Sequence, residues 1–181
     1  MYGLVNRAMN DLVCQRFGEP TWERIKARAG VDVDVFLSMQ TYPDELTVKL
    51  LVAAASELET GTDVLLEQFG EHWVEYATHH GYKDLMQARG TSLFTFISRL
   101  DDLHSRLSLT FPELRPPSFK STRLTEHSIR LEYRSAREGL APFVIGLMRG
   151  LGKVFGKYVE VEHDVHRGVA SDHDEFLVFT D

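Results

Sequence analysis

Two groups of residues in this chain have the types and spacing to hold one ligand between them. His104 lies within the stretch 92–110, whose apolar residues fall at Leu93, Phe96, Ile97, Leu100, Leu103 and Leu107, the stripe of an amphipathic helix facing a core. The histidine sits on that stripe, one turn past Leu100. A lone histidine in such a place is more often a core residue with a hydrogen-bonded tip than a ligand. A second group shifts that balance. Tyr133, Ser135 and Arg137 stand at i, i+2 and i+4 of the strand-like run S-I-R-L-E-Y-R-S-A-R, so an extended chain points them to one face. A phenol, a hydroxyl and a guanidinium on one face are the donors that a buried carboxylate or phosphate needs. An apolar histidine with such a trio implies a large ligand, apolar in the middle and anionic at one edge. Haem, with axial iron and propionates, has that shape.

The elements that must position these residues follow from periodicity. Leu4, Val5, Ala8, Met9, Leu12 and Val13 predict a first helix ending near Gly18, and Pro20–Trp22 opens a second that runs to Gly30. Residues 44–58 predict a third, with Leu46, Leu50, Val52, Ala53 and Leu58 inward and Gly61 as its breaker. Thr62 or Asp63 caps a fourth through Leu65, Leu66, Phe69, Trp73 and Tyr76. Gly70 lies inside that fourth helix, where it costs about 1 kcal/mol relative to Ala, so it serves either close packing or a bend. The 81–90 connection leads into the histidine-bearing helix, whose start Ser92 or Thr91 can cap. Pro112, Pro116 and Pro117 make F-P-E-L-R-P-P-S-F an extended crossing segment. Residues 128–134 alternate as a strand, with Ile129, Leu131 and Tyr133 on one face. A glycine-bearing apolar helix over 139–158 follows, then strands at Val159–Val165 and Phe176–Thr180 around the turn A-S-D-H-D. The expected fold class is α+β, a mostly helical first half against antiparallel strands with a helix packed on them. No repeat or low-complexity segment interrupts it.

Composition narrows the function classes. A chain of 181 residues with 43% hydrophobic and 26% charged content is globular and long enough for a substantial core. A net charge of −7 and a pI near 5.6, with no Lys/Arg cluster, argue against nucleic acid. The single cysteine, Cys14, excludes an internal disulfide, covalent haem attachment and a multi-cysteine zinc site, and fits a reducing, cytoplasmic setting. The first residues carry Arg7 and Asp11 and do not read as a signal peptide, and the longest apolar run, 140–148, is too short to span a bilayer. His163 and His166, three apart on a strand, are expected on opposite faces and make a poor metal pair, while His79-His80 reads as solvated surface. No nucleophile–base, zinc-protease, phosphate-loop or dinucleotide motif is present. Any chemistry must arrive with a cofactor.

Several segments together resemble a known family. M-Y-G-L-V-N at the start, F-G-E-H-W at 69–73, L-D-D-L-H at 100–104, F-P-E-L-R-P-P-S-F at 111–119 and Y-R-S-A-R-E-G-L-A-P at 133–142 are similar to the haem-nitric oxide/oxygen binding (H-NOX) domain. This is the sensor module of soluble guanylate cyclase and its bacterial relatives, and the resemblance is to the stand-alone bacterial or cyanobacterial type. The resemblance implies one domain over 1–181, with a helical distal subdomain over about 1–65 and a subdomain of proximal helix and antiparallel sheet over about 66–181. It implies non-covalent haem b ligated by His104, with Tyr133, Ser135 and Arg137 on the propionates and Pro117 pressing on the macrocycle. Trp73 and Phe143 match positions that line the distal side, with Val5, Met9 and Leu147 beside them, and Gly70 matches a glycine linked to relative motion of the subdomains. The chain departs from oxygen-binding members, which carry tyrosine where Phe143 stands.

The implied activity is sensing, not catalysis. Nitric oxide or carbon monoxide binds the ferrous iron and oxygen is excluded; nitric oxide weakens the bond to His104, the subdomains shift, and a sensor histidine kinase or a cyclase in trans responds. Neither a membrane nor nucleic acid takes part. The competing expectations are a haem enzyme of oxygenase type and a haem-free small-molecule domain in which His104 is only a core residue.

Overall fold

A computed structural model describes residues 1–79 and 92–181. The 81–90 connection, His80 and Thr91 fall outside the described residues. Helices α1 (Gly3–Phe17), α2 (Glu19–Ala29), α3 (Asp44–Glu57) and α4 (Thr62–His79) come first, then α5 (Leu93–Ile97) and α6 (Leu100–Thr110). Strands β1 (Ser118–Arg123) and β2 (Ser128–Arg134), helix α7 (Ala141–Val154), and strands β3 (Val159–Val165) and β4 (Asp174–Thr180) complete the chain. The four strands form one antiparallel sheet in the order β1-β2-β4-β3, and the α+β class holds.

Two apolar cores organise these elements. The helical core gathers Ala8, Met9, Leu12 and Val13 of α1, Trp22 and Ile25 of α2, Leu50 and Ala53 of α3, and Leu65, Phe69 and Tyr76 of α4. The sheet core gathers Ile129, Leu131 and Tyr133 of β2, Phe176 and Val178 of β4, Val144, Met148 and Leu151 of α7, and most of α5. Val74 and Ala77 of α4 belong to this second core, so α4 contributes to both.

The seam between α4 and α7 explains the mid-helix glycines. A Cβ on Gly70 would run into the Phe143 carbonyl oxygen and come within 2.7 Å of the Leu147 amide nitrogen. A Cβ on Gly146 would run into the Glu67 carbonyl, and one on Gly150 would lie 3.0 Å from the Glu71 carbonyl. Backbone meets backbone here, so Gly70 serves close packing. Ion pairs Glu67–Arg149 and Glu71–Lys153 flank the seam.

Several expectations need correcting. The stripe of residues 92–110 is carried by two helices, not one: Ser98 turns its hydroxyl onto the Thr95 carbonyl at 2.8 Å, a local bond that competes with the helical ladder, and the chain re-enters helix at Leu100. Ser92 is the cap, its hydroxyl accepting from the Thr95 amide at 3.2 Å. Val52, expected inward, is exposed. The apolar helix expected over 139–158 is shorter, held between Pro142 in its first turn and the left-handed Gly156 just beyond its end. Strand β1 was not expected beyond Phe119. His163 and His166 are not on opposite faces: β3 shifts register after His163, its pairing ends at Val165, and the two rings come within 3.8 Å.

Candidate functional site

The two cores leave a cavity of about 510 Å³ between them, within the roughly 300–1,000 Å³ of small-molecule and cofactor pockets. Helix α1 points Leu4, Val5 and Met9 into it, α4 adds Phe69 and Trp73, and α7 adds Phe143 and Leu147. Helix α6 brings Leu103, His104 and Leu107, and the segment after it brings Pro117. Tyr133, Ser135 and Arg137 complete the lining with Met1 and Asp44. All ten residues singled out by sequence therefore face one space: Val5, Met9, Trp73, His104, Pro117, Tyr133, Ser135, Arg137, Phe143 and Leu147.

His104 is placed by two constraints. The stripe of α6 turns it toward the cavity, and Asp101, one turn earlier, fixes the helix to the sheet. That carboxylate accepts from the Phe119 amide at 2.7 Å and from the Ser118 hydroxyl at 2.9 Å. The His104 ring leans on that of Phe119, centroids 5.9 Å apart. Its Nδ1 is enclosed and makes no full hydrogen bond. Burial pulls the imidazole pKa below the usual 6.5, opposed by the Asp101 charge and the Pro117 backbone as acceptor. The ring is thus held neutral near pH 7, the state in which an imidazole nitrogen can bind a metal.

The donor trio converges, though not by the expected route. Strand β2 ends at Arg134, and the chain turns there, the Arg137 amide donating to the Ser135 hydroxyl at 3.0 Å. Alternation accounts for buried Tyr133 and exposed Arg134, while the turn accounts for Ser135 and Arg137. Burial pushes the Tyr133 phenol pKa up, against a hydrogen bond with Ser135.

Asp44 is the site residue the sequence reading missed. Arg137 Nε meets Asp44 Oδ2 at 2.7 Å, and its Nη1 donates to the Arg115 carbonyl at 3.1 Å. The N-terminal ammonium lies 2.7 Å from Asp44 Oδ1. Burial would raise the Asp44 pKa, but hydrogen bonds from Arg137 and the ammonium outweigh it and hold the carboxyl below its usual range. In sequence Asp44 looks like any first-turn carboxylate of a helix, so nothing there marked it. The Arg137 fork thus grips a carboxylate at the cavity's edge already.

These residues fit haem on chemical grounds: a neutral imidazole whose Nδ1 makes no full hydrogen bond in an apolar cavity, and a guanidinium, phenol and hydroxyl at one rim in a setting that binds carboxylate. Among the described residues no group of three His, Cys, Asp or Glu side chains could hold a metal ion by itself. No described helix is long and apolar enough to cross a membrane.

Comparison with known proteins points the same way. The family described as Haem-NO-binding matches residues 2–163. The soluble guanylate cyclase gcy-31 of Caenorhabditis elegans is 28% identical over 172 residues, 92% of this chain and 24% of that protein. The beta-2 subunit of soluble guanylate cyclase from Rattus norvegicus is 30% identical over 122 residues, 64% of this chain and 18% of that protein. The chain spans only about a quarter of the length of the curated relatives it matches. Among solved structures, an H-NOX protein from S. oneidensis in the Fe(II)NO state superposes with a TM-score of 0.88 at 19% identity, covering 100% of this chain and 99% of that one. An oxygen-binding H-NOX domain related to soluble guanylate cyclases gives 0.81 at 17% identity, covering 99% and 95%.

Proposed function

Because this chain belongs to the haem-NO-binding (H-NOX) family of haem-based gas-sensor domains related to soluble guanylate cyclase, we propose that its cavity holds haem b, senses nitric oxide while excluding oxygen, and signals to a separate effector. The effector is a sensor histidine kinase or a cyclase acting in trans in the cytoplasm, and carbon monoxide is a second ligand. The observation that carries this reading is one cavity in which a neutral histidine, its Nδ1 without a full hydrogen bond, faces apolar walls while a carboxylate-gripping rim stands at the edge.

When bound, haem would supply a ferrous iron able to take a diatomic gas. His104 would be its protein ligand, kept available by a burial that disfavours protonation. Arg137, Ser135 and Tyr133 would hold the propionates, with Arg137 shared between a propionate and Asp44. Pro117, Val5, Met9, Trp73, Phe143 and Leu147 would enclose the macrocycle and keep water out. Because Asp101 bonds α6 to β1, a displacement of His104 would be carried to the sheet. The surface that must accommodate a resulting shift is the α4–α7 seam, where backbones touch at Gly70 and Gly146. For this to switch an effector, the gas must favour one arrangement of the two cores over the other.

The test is His104→Gly. The variant is expected to retain haem only when imidazole is supplied, with recovery of the ferrous absorption spectrum. Haem spectra identical to those of the unaltered protein without added base would remove His104 from the ligand position.

A further inference from the structure

Arg167 lies in the β3–β4 connection, outside the cavity, an exposed residue whose side chain is 32% exposed. Its Nη1 donates to the Ser135 backbone carbonyl at 2.7 Å, and its Nη2 lies 3.8 Å from Glu138 Oε1. One guanidinium thereby reaches both ends of the turn 135–138, the turn that carries Ser135 and Arg137. The other end of the contact is anchored too. The Arg167 amide donates to Asp174 Oδ1 at 3.0 Å, and the same oxygen meets His163 Nε2 at 2.9 Å. Asp174 pairs with Tyr133 across the β2–β4 ladder, and His163 stacks on Phe176 with centroids 4.7 Å apart. Arg167 is therefore fixed to the rigid part of the sheet, while its side chain holds the end of β2 where the ladder stops.

That stop matters. Beyond Arg134 no strand pairing restrains Ser135 and Arg137, and the bond from the Arg137 amide to the Ser135 hydroxyl fixes the turn only internally. Among the described residues, the contacts that hold this turn against the rest of the molecule are the Arg137 side-chain bonds, the Tyr133 phenol at the Ser135 hydroxyl and the Arg167 clasp on the backbone. Tyr133, Ser135 and Arg137 all face the ligand, whereas the Arg167 clasp grips the turn's backbone from outside the cavity and does not depend on the ligand.

We propose that Arg167 is a positioning residue for the anion-gripping turn, holding Ser135 and Arg137 in place for the carboxylates of the bound cofactor without touching them. The proposal rests on the cofactor reading above. Groups that orient those in contact with a cofactor commonly change its affinity by roughly 10–100-fold when removed. For an indirect clasp the lower figure, about tenfold, is the expectation.

The test compares haem with haem dimethyl ester, whose propionates carry no charge, binding to unaltered protein, Arg167→Ala and Arg167→Lys. The expected result is that Arg167→Ala weakens haem about tenfold but the diester little, so the preference for the free acid collapses, and that Arg167→Lys restores most of it. In the cofactor-free protein, the Arg137 amide should also exchange its proton faster in Arg167→Ala. If Arg167→Ala weakens both ligands equally, the residue supports the fold at large and the proposal is overturned. An unchanged preference and an unchanged exchange rate overturn it as well. Failure of the unaltered protein to bind either ligand would instead count against the cofactor reading itself, and this proposal would fall with it.

Discussion

The two sides of the cavity differ in what they can offer a ligand. On the helical-core side, Leu4, Val5, Met9, Phe69, Trp73 and Phe143 present hydrocarbon and a single side-chain N–H, that of Trp73. That N–H makes no hydrogen bond to any described residue. On the other side stand His104, Tyr133, Ser135, Arg137, Asp44 and the N-terminal ammonium, most of them held in bonded networks. Apolar burial positions the first group and hydrogen bonds and ion pairs position the second. In the proposed function, the first side would exclude and the second would bind the cofactor. Gas selectivity would then lie on the first side and cofactor retention on the second.

The seam that joins the sides is where the largest effect is expected. Gly146→Val forces side-chain carbons against the Glu67 backbone and should cost about 3 kcal/mol or more, read as a lower urea midpoint. Gly61→Ala, with nothing within 4 Å and only a helix-cap preference to lose, should change the midpoint far less. Equal effects from the two would mean that α4 and α7 do not meet as described.

On the binding side, Arg137→Ala removes a charge-assisted contact of about 1.5–3 kcal/mol and should lower haem affinity about tenfold to a hundredfold. Arg134→Ala, whose side chain turns outward to Asp172, should leave retention near that of the unaltered protein. Similar losses from both would show that the turn after β2 does not select the gripping arginine.

How far the sequence could be read follows the same division. Periodicity exposed nearly every helix, and the alternation of Ile129, Leu131 and Tyr133 exposed β2, because apolar burial writes itself at regular spacing. Strand β1, S-F-K-S-T-R, is an edge strand with one buried residue, Phe119, and carries no such signal. The break at Ser98 was invisible because the apolar stripe runs straight through it. Polar contacts were least legible. The Asp44–Arg137 pair joins residues 93 apart in sequence, and the meeting of His163 with His166 depends on a bulge that spacing alone does not reveal.

On the excluding side, a smaller effect concerns His72. It is buried between α4 and α1, its Nε2 lying 3.0 Å from Asp11 Oδ2 without hydrogen-bond geometry. Burial lowers its pKa below 6.5, outweighing the Asp11 and Glu75 charges that would raise it, with Arg16 adding to the lowering. The unfolded chain therefore takes up this proton first as pH falls. The stabilising contribution is complete above about pH 6.5 and is lost as pH drops toward the folded-state value. The urea midpoint should fall between about pH 7.5 and about pH 5.5, and His72→Gln should flatten the part of that slope due to this ring. A slope identical in the variant would mean that His72 titrates as it does in the unfolded chain.

The most direct measurement is the absorption spectrum of the ferrous, haem-loaded protein in nitric oxide, in carbon monoxide and in air. Bound oxygen carries negative charge on its outer atom and is retained where a donor stands near, whereas the other two gases need none. Phe143 offers no donor, and Phe143→Tyr is the single change expected to confer some oxygen affinity. The account predicts that the unaltered protein forms nitric oxide and carbon monoxide complexes and that its spectrum in air stays that of the unliganded ferrous state before slow oxidation. A stable oxygen complex in air would contradict it, and loss of that complex in Trp73→Phe would identify the indole N–H as the donor that the excluding side was held not to supply.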